Sequence, residues 1–310
     1  MNFIYPVTLY IPPMLLNNKI PLTYVFRTIR YDLLFTLIIW LSTYNLTHTI
    51  TAASPGIPVA IPTFMGTAIS IILSFKLNQS YDRWWEARKI WGSIINESRS
   101  FVLQLQSFIK TGHEIDIRTM SFRQIAWCFS LGQSLRGLNA LENLEKYLSA
   151  EDLELISKHS NKPLAILQLN SQHLASLKNE EALDIRSHIQ INDTLKNFSN
   201  TMGMAERINS TVFPVTYRLF LHWIIYLFVI VLCIALYDLA WYLELPLLLA
   251  LSCAFFLLEK AATHLQDPFR NKPTDTPVTT IATTIEINIK QLLKEEEFPQ
   301  PLPPGKFYSI

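Results

Sequence analysis

LLFTLIIWLSTYNLTHTITAASPGIPVAIPTFMGTAISIILSF, residues 33–75, contains no Asp, Glu, Lys or Arg. A bilayer-crossing helix needs about 20 apolar residues, so the run has room for two spans and a short turn. Ala53-Ser54-Pro55-Gly56 supplies the turn. Pro58 and Pro62 suit the start of the second helix, where a missing backbone N–H leaves no bond unmade. The pattern predicts spans over residues 33–50 and 58–75. The first is polar toward its outer end, where Thr43, Asn45, Thr47 and His48 stand.

A second apolar block follows far downstream. Residues 219–237 are uncharged, and so are residues 245–258. Asp238 and Glu244 lie between the two runs beside Trp241 and Tyr242, a pairing of aromatic and polar groups typical of a membrane interface. The later run is too short to cross by itself. The fourth helix must therefore take in Trp241 to Glu244 at one end or Glu259 to Thr263 at the other.

Charge bias orients these helices. Lys19, Arg27 and Arg30 precede the first span, and Lys76, Arg83, Arg88 and Lys89 follow the second. Arg207 and Arg218 flank the third, while Lys260, Arg270 and Lys272 follow the fourth. The outer connections, residues 51–57 and 238–244, carry no Lys or Arg. By the positive-inside rule both termini and the long middle segment are cytoplasmic.

The rest of the composition agrees. Charged residues make up 16% of the 310, against roughly 25% in an average soluble domain. The 26 basic and 25 acidic residues nearly cancel, a balance that argues against a nucleic-acid binder, which would need a basic face. A mean hydropathy of +0.21 is too low for a chain lying wholly in lipid, and fits membrane helices joined to a polar body. Cys128, Cys233 and Cys253 are far apart, without metal-ligand spacing, and read as small buried hydrophobes. The opening MNFIYPVTLYIPPMLLNN lacks the basic start, apolar core and cleavage site of a signal peptide.

Between residues 76 and 212 the pattern is helical, with one proline, Pro163, and glycine-containing breaks near Gly112 and Gly132–Gly137. Helices are expected through Ile125 and Phe129, from about Leu164 to Leu177, and from Ala182 to Asn209 with Ile185, Ile189, Leu195 and Phe198 on its apolar face. The end, FPQPLPPGKFYSI, reads as an extended tail. The fold class is thus all-α: an integral membrane protein with four transmembrane helices and a helical cytoplasmic domain. Residues 1–75 hold the N-terminal segment and first span pair, and 76–212 the cytoplasmic helical region. Residues 213–263 hold the second pair, and 264–310 the cytoplasmic C-terminal segment, all in one structural unit.

The second span carries the most informative spacing. Gly66, Ser70 and Ser74 recur every four residues, a stripe of small side chains that lets helices approach closely in a membrane. Beside it run Thr67, Ile71 and Phe75. If copies of this helix surrounded an axis, those three would form stacked, mostly apolar rings of the kind that gate by dewetting. Ordinary lipid-facing or core packing produces the same spacing, so a pore does not follow from this helix alone.

Further residues do point that way. The run Ser74-Phe75-Lys76-Leu77-Asn78-Gln79-Ser80-Tyr81-Asp82-Arg83-Trp84-Trp85-Glu86-Ala87-Arg88-Lys89 closely resembles the signature that follows the second helix of the bestrophin family. Glu206-Arg207-Ile208-Asn209 with Phe213-Pro214 and Tyr217 resembles the family's entry into its third span. Glu259, Asp267-Pro268-Phe269, Asp275, Pro277 and Thr284-Ile285-Glu286 with Asn288 resemble the segment after its fourth. The matches touch most of the chain from residue 60 to 295, although residues 100–180 match no motif.

The resemblance implies a homopentamer around one axial pore, conducting monovalent ions, with anions such as chloride first and cations as the rival. It places the neck on Thr67, Ile71 and Phe75, where Thr67 replaces a bulkier apolar residue and makes a wider outer end. It places a cytoplasmic aperture near Ile185, or one turn on at Ile189, although an apolar residue on a cytoplasmic helix serves core packing as readily. The family's calcium-binding acidic cluster is replaced here by Arg270-Asn271-Lys272-Pro273-Thr274-Asp275, with one carboxylate where Ca²⁺ wants six to eight oxygens.

No cofactor or metal is therefore expected. The partners are other copies of the chain, membrane lipid and permeating ions, and the location is a bacterial inner membrane. Asp82, Arg83, Glu86, Arg88 and Lys89 alternate in sign and read as salt-bridge formers with Trp84 and Trp85 packed beneath. Neither a phosphate-cradling glycine loop nor a nucleophile elbow is present. A membrane enzyme would need ionisable residues clustered in the spans, which hold only histidines and hydroxyls. A non-conducting scaffold stays open.

Overall fold

The structure, a computed structural model, describes residues 22–50, 57–211, 215–272 and 274–302. The turn expected at residues 53–56, Phe213-Pro214, Pro273 and the end of the tail lie outside them. The described residues form nine α-helices and no strand. They are α1 (Leu22–Ile50), α2 (Ala60–Phe108), α3 (Glu114–Leu135), α4 (Ala150–Ser157), α5 (Lys162–Asn179), α6 (Ile185–Ser210), α7 (Val215–Ala235), α8 (Trp241–Gln266) and α9 (Val278–Leu292).

Packing divides the chain into two compact units. Of the described residues, one unit comprises 22–50, 57–84, 211 and 215–267, the other 85–210, 268–272 and 274–302. The first unit holds α1, α7, α8 and the early part of α2. Here α2, α7 and α8 are each long and apolar enough to cross a membrane. At 1.5 Å per residue the 21 residues of α7 reach about 32 Å, a match for the roughly 30 Å hydrocarbon layer. The fourth helix takes in both of its candidate ends, running from Trp241 past Thr263. Pro62 stands in the first turn of α2, as its missing N–H requires. The shared core of α1, α2, α7 and α8 is built from residues such as Ile29, Ile69, Leu73, Leu221, Phe228 and Phe256.

The second unit is a helical body around α3, which packs on α5, α6 and α9. Trp91, Trp127, Phe101 and Phe198 meet at its centre, with the Trp127 and Phe198 rings 5.1 Å apart. Asn161 caps α5 by accepting the Leu164 N–H, and Ser149 caps α4 by accepting that of Asp152.

Beyond the span expected to reach Phe75, α2 continues as one helix for 33 further residues, with Lys76, Ser80 and Ala87 keeping its buried face in phase. Two expectations need correction. Gly132 is not part of a break. It lies inside α3, where its missing Cβ lets α9 come close: an added Cβ would sit 3.3 Å from Val278 Cγ2. Gly137 is the residue that turns, at φ +69°. Finally, α4 and α9 form where the sequence reading expected no separate helix.

Candidate functional site

The two faces of α2 differ sharply. With 3.6 residues per turn, Ile69, Leu73, Lys76 and Ser80 fall on one line along the helix, and all four are buried. Thr67, Ile71 and Phe75 fall opposite. Ile71 is 53% exposed and Phe75 63%, and Thr67 is exposed as well. The structure therefore gathers the three predicted neck residues on one uncovered strip. The Thr67 hydroxyl donates to the Thr63 carbonyl at 2.9 Å, and that of Ser70 to Gly66 at 2.8 Å. Their hydrogens are thus spent on their own helix. Of the small-residue stripe, Gly66 approaches another helix within the subunit, with the Phe228 ring 3.3 Å from where a Cβ would stand. Ser70 and Ser74 remain exposed.

Immediately behind Phe75 is a group that the sequence reading counted only as a cytoplasmic positive charge. Lys76 is fully buried, and its Nζ lies 3.2 Å from Glu259 Oε1 and 3.1 Å from Thr263 Oγ1. Thr263 in turn donates to Glu259 at 3.0 Å, closing a triangle between α2 and α8. Nearby in the same unit Asp32, also buried, draws in His222 and Lys260 at 3.4 Å each and the Tyr226 hydroxyl at 3.3 Å. The apolar runs themselves lack carboxylates, but Asp32 and Glu259, standing just beyond them, fold inward and are paired. A signal was available: Lys76 lies three residues after Leu73 and Glu259 three after Phe256, in phase with each buried face.

The signature residues have separable tasks. Arg83 donates from Nε to the Gln266 carbonyl and from Nη2 to that of Thr211, both at 3.0 Å. It thereby holds the chain where α6 ends and where α8 ends. Tyr81 stacks on Trp84 at 5.7 Å, and Asp82 is exposed. Glu86 pairs with Arg207 of α6 at 2.8 Å. Trp85 is not packed beneath as expected but 46% exposed. Asp267 is half-buried, and after it Pro268 and Phe269 are buried, Phe269 in the core of the helical body. The Pro268 carbonyl accepts the Thr276 N–H at 3.0 Å, which turns the chain toward α9. In that turn burial pushes the Asp275 carboxyl above the usual range, against the pull of nearby backbone N–H groups and Arg136.

Ile185 is the first residue of α6, and Ile189 stands one turn on. They are 65% and 64% exposed, so neither belongs to the core of its own subunit. Asp184 caps the helix, accepting from the N–H groups of Arg186 and Ser187 at 2.9 and 3.1 Å. Hydrogen bonds from Ser187 hold its carboxyl below the usual range.

A four-helix unit with apolar outer surfaces and buried ion pairs, joined to a helical body, defines the class as an all-helical protein of membrane type. The chain belongs to the bestrophin family: the family described as Bacterial/Fungal Bestrophin protein matches residues 19–291. It is 32% identical over 246 residues to the voltage-dependent anion channel-forming protein YneE of Escherichia coli K12, covering 79% of this chain and 80% of that protein. A voltage-dependent anion channel-forming protein of Ralstonia nicotianae is 28% identical, covering 74% of this chain and 76% of that protein. The fold matches the crystal structure of a bacterial bestrophin homologue from Klebsiella pneumoniae with a TM-score of 0.80. That match is 26% identical and covers 87% of this chain and all of the other.

Proposed function

We propose that the chain is one subunit of a homopentameric channel that conducts monovalent ions, anions such as chloride first, across a bacterial inner membrane. Each subunit contributes four spans, α1, the early part of α2, α7 and α8. Residues 76–212 and 264–310 form the cytoplasmic part, where both termini also lie. The pore is passive, with no catalytic step and no cofactor. Thr67, Ile71 and Phe75 form its neck, and Ile185, with Ile189 next, forms the cytoplasmic aperture.

The observation that carries this reading is the exposed Thr67–Ile71–Phe75 strip, directly opposite a face of α2 that is buried and ion-paired. Apolar side chains on a helix anchored from behind are suited to a constriction that wets and dewets. The anion assignment is supported by the relatives named as anion channel-forming proteins. An apolar neck does not itself choose a sign, so a cation channel of the same architecture is the second reading. The ion-paired state of Lys76, Glu259 and Asp32 speaks against the use of these residues in an enzyme.

The test is the reversal potential of the purified protein in a planar bilayer under a chloride salt gradient. A shift to the chloride equilibrium potential is expected. A shift to that of the cation would replace the anion assignment. Absence of current from an intact pentamer under applied voltage of either sign would favour a non-conducting scaffold.

A further inference from the structure

Between α1 and α7 lies a slot of about 480 Å³. Phe35 and Ile39 line it from α1, and Trp223, Leu227 and Ile230 from α7, with His222 and Tyr226 completing the wall. Its surface is almost entirely apolar, and Phe35 and Trp223 are more than half exposed. The aromatic wall is firmly built: the His222 ring sits edge-on to Tyr226 at 5.0 Å and 5.5 Å from Phe256.

The slot has a polar end and an apolar end. From His222 to Ile230 the helix rises about 12 Å, close to one leaflet's half of a roughly 30 Å hydrocarbon core. One turn before His222, on the same side of α7, stands Arg218, which is exposed. Arg27 is exposed on α1 at the corresponding end of the unit's charge pattern. Neither arginine has an ion-pair partner among the described residues. Arg218 is the one residue of α7 with a fixed charge, and α1 has only Arg27, Arg30 and Asp32.

These charges select between occupants. A second copy packing a helix here would have to bring acid to the arginines. The carboxylates of α1, α7 and α8 are Asp32, Glu244 and Glu259, and all three are buried. An anionic phospholipid brings both parts required, an acyl chain for the slot and a phosphate for its end. We propose that the α1–α7 slot holds one acyl chain of an anionic phospholipid, whose phosphate is bound by Arg218 with His222 beside it. The site rests on the membrane reading given above but not on ion conduction.

The probe is native mass spectrometry of the full chain in non-ionic detergent, titrated with dioleoylphosphatidylglycerol or dioleoylphosphatidylcholine. One cation near the headgroup is expected to favour the anionic lipid about fivefold. Arg218→Gln, at an exposed position, should abolish that preference while retaining the neutral lipid. Leu227→Trp should fill the slot and reduce retention of both. Equal retention of the two lipids by the wild-type chain, or an unchanged preference in Arg218→Gln, would overturn the site. A wild-type chain that conducts yet shows no lipid preference would remove the lipid site and leave the channel reading standing. Lipid preference without current would do the reverse.

Discussion

In the helical body the largest buried side chains are Trp91, Trp127, Phe101 and Phe198, whereas the four-helix unit buries Lys76 as completely as any of them. The same contrast runs through the surfaces. The four-helix unit leaves Phe64, Phe75 and Trp223 more than 60% exposed, while Asp32, Glu244, Ser252 and Glu259 are inside. The helical body keeps some ion pairs at its surface, as with Arg118 and Glu295 or Lys158 and Glu154, and buries others, Arg123 with Asp152 and Lys290 with Glu286. What separates the units is the exposed apolar surface and the completely buried lysine of the four-helix unit, and the absence of water around that unit explains both. In water the driving force is removal of apolar area. In lipid the tails are as apolar as the side chains, so small residues and polar groups that pair with one another draw helices together.

That comparison can be broken most easily at Lys76. Lys76→Met leaves Glu259 buried without its partner, and removal of one member of a buried pair costs about 3–5 kcal/mol. The double change Lys76→Met with Glu259→Leu should recover most of that loss, and thermal unfolding in detergent measures both. A single change costing no more than a surface substitution would mean that the pair does not hold α2 to α8.

Next in size is the close contact of α3 and α9 in the helical body. Gly132→Val inserts a branched side chain where even a Cβ meets Val278 at 3.3 Å. Overpacking of this kind costs about 1–3 kcal/mol. Denaturant titration of the purified protein, followed by tryptophan fluorescence, would register it. An unaffected midpoint would show that α9 can move away without loss.

A smaller effect separates the units by pH. Burial raises the Asp116 carboxyl, but hydrogen bonds from His113 at 2.8 Å and His173 at 2.9 Å outweigh it, and the net position is below the usual range. A depressed carboxyl contributes stability that is present above its unfolded value and lost as pH falls through the folded one. Melting temperature of the wild type should therefore decline as pH drops through and below the ordinary carboxylate range. Asp116→Asn should flatten part of that decline, and identical profiles would remove Asp116 from the account.

The smallest expected change in stability falls at the proposed neck. Ile71→Ala with Phe75→Ala removes side chains that are uncovered in the subunit, so unfolding should shift by no more than about 0.5 kcal/mol per site. Single-channel conductance should nevertheless rise severalfold. Unaltered currents from an intact oligomer would take both residues out of the pore.

Much of this contrast was legible in order along the chain. The charge-free run from Leu33 to Phe75 and the apolar blocks after Arg218 marked four spans, now seen as the later part of α1, the early part of α2, α7 and α8. Helical period was also enough to put Thr67, Ile71 and Phe75 on one strip, because residues three and four apart share a face whatever surrounds the helix. What period cannot reveal is which strip meets a neighbour. Lys76 looks like any cytoplasmic cation until α8 brings Glu259 and Thr263 against it across more than 180 residues. The burial of Asp32 likewise needs α7 and α8 together. Gly132 reads as a break until Val278 is placed beside it. Composition and periodicity act within a single helix and so determined the class and the strip. Pairing between distant segments belongs to the packed fold, and that alone decided which charges lie inside.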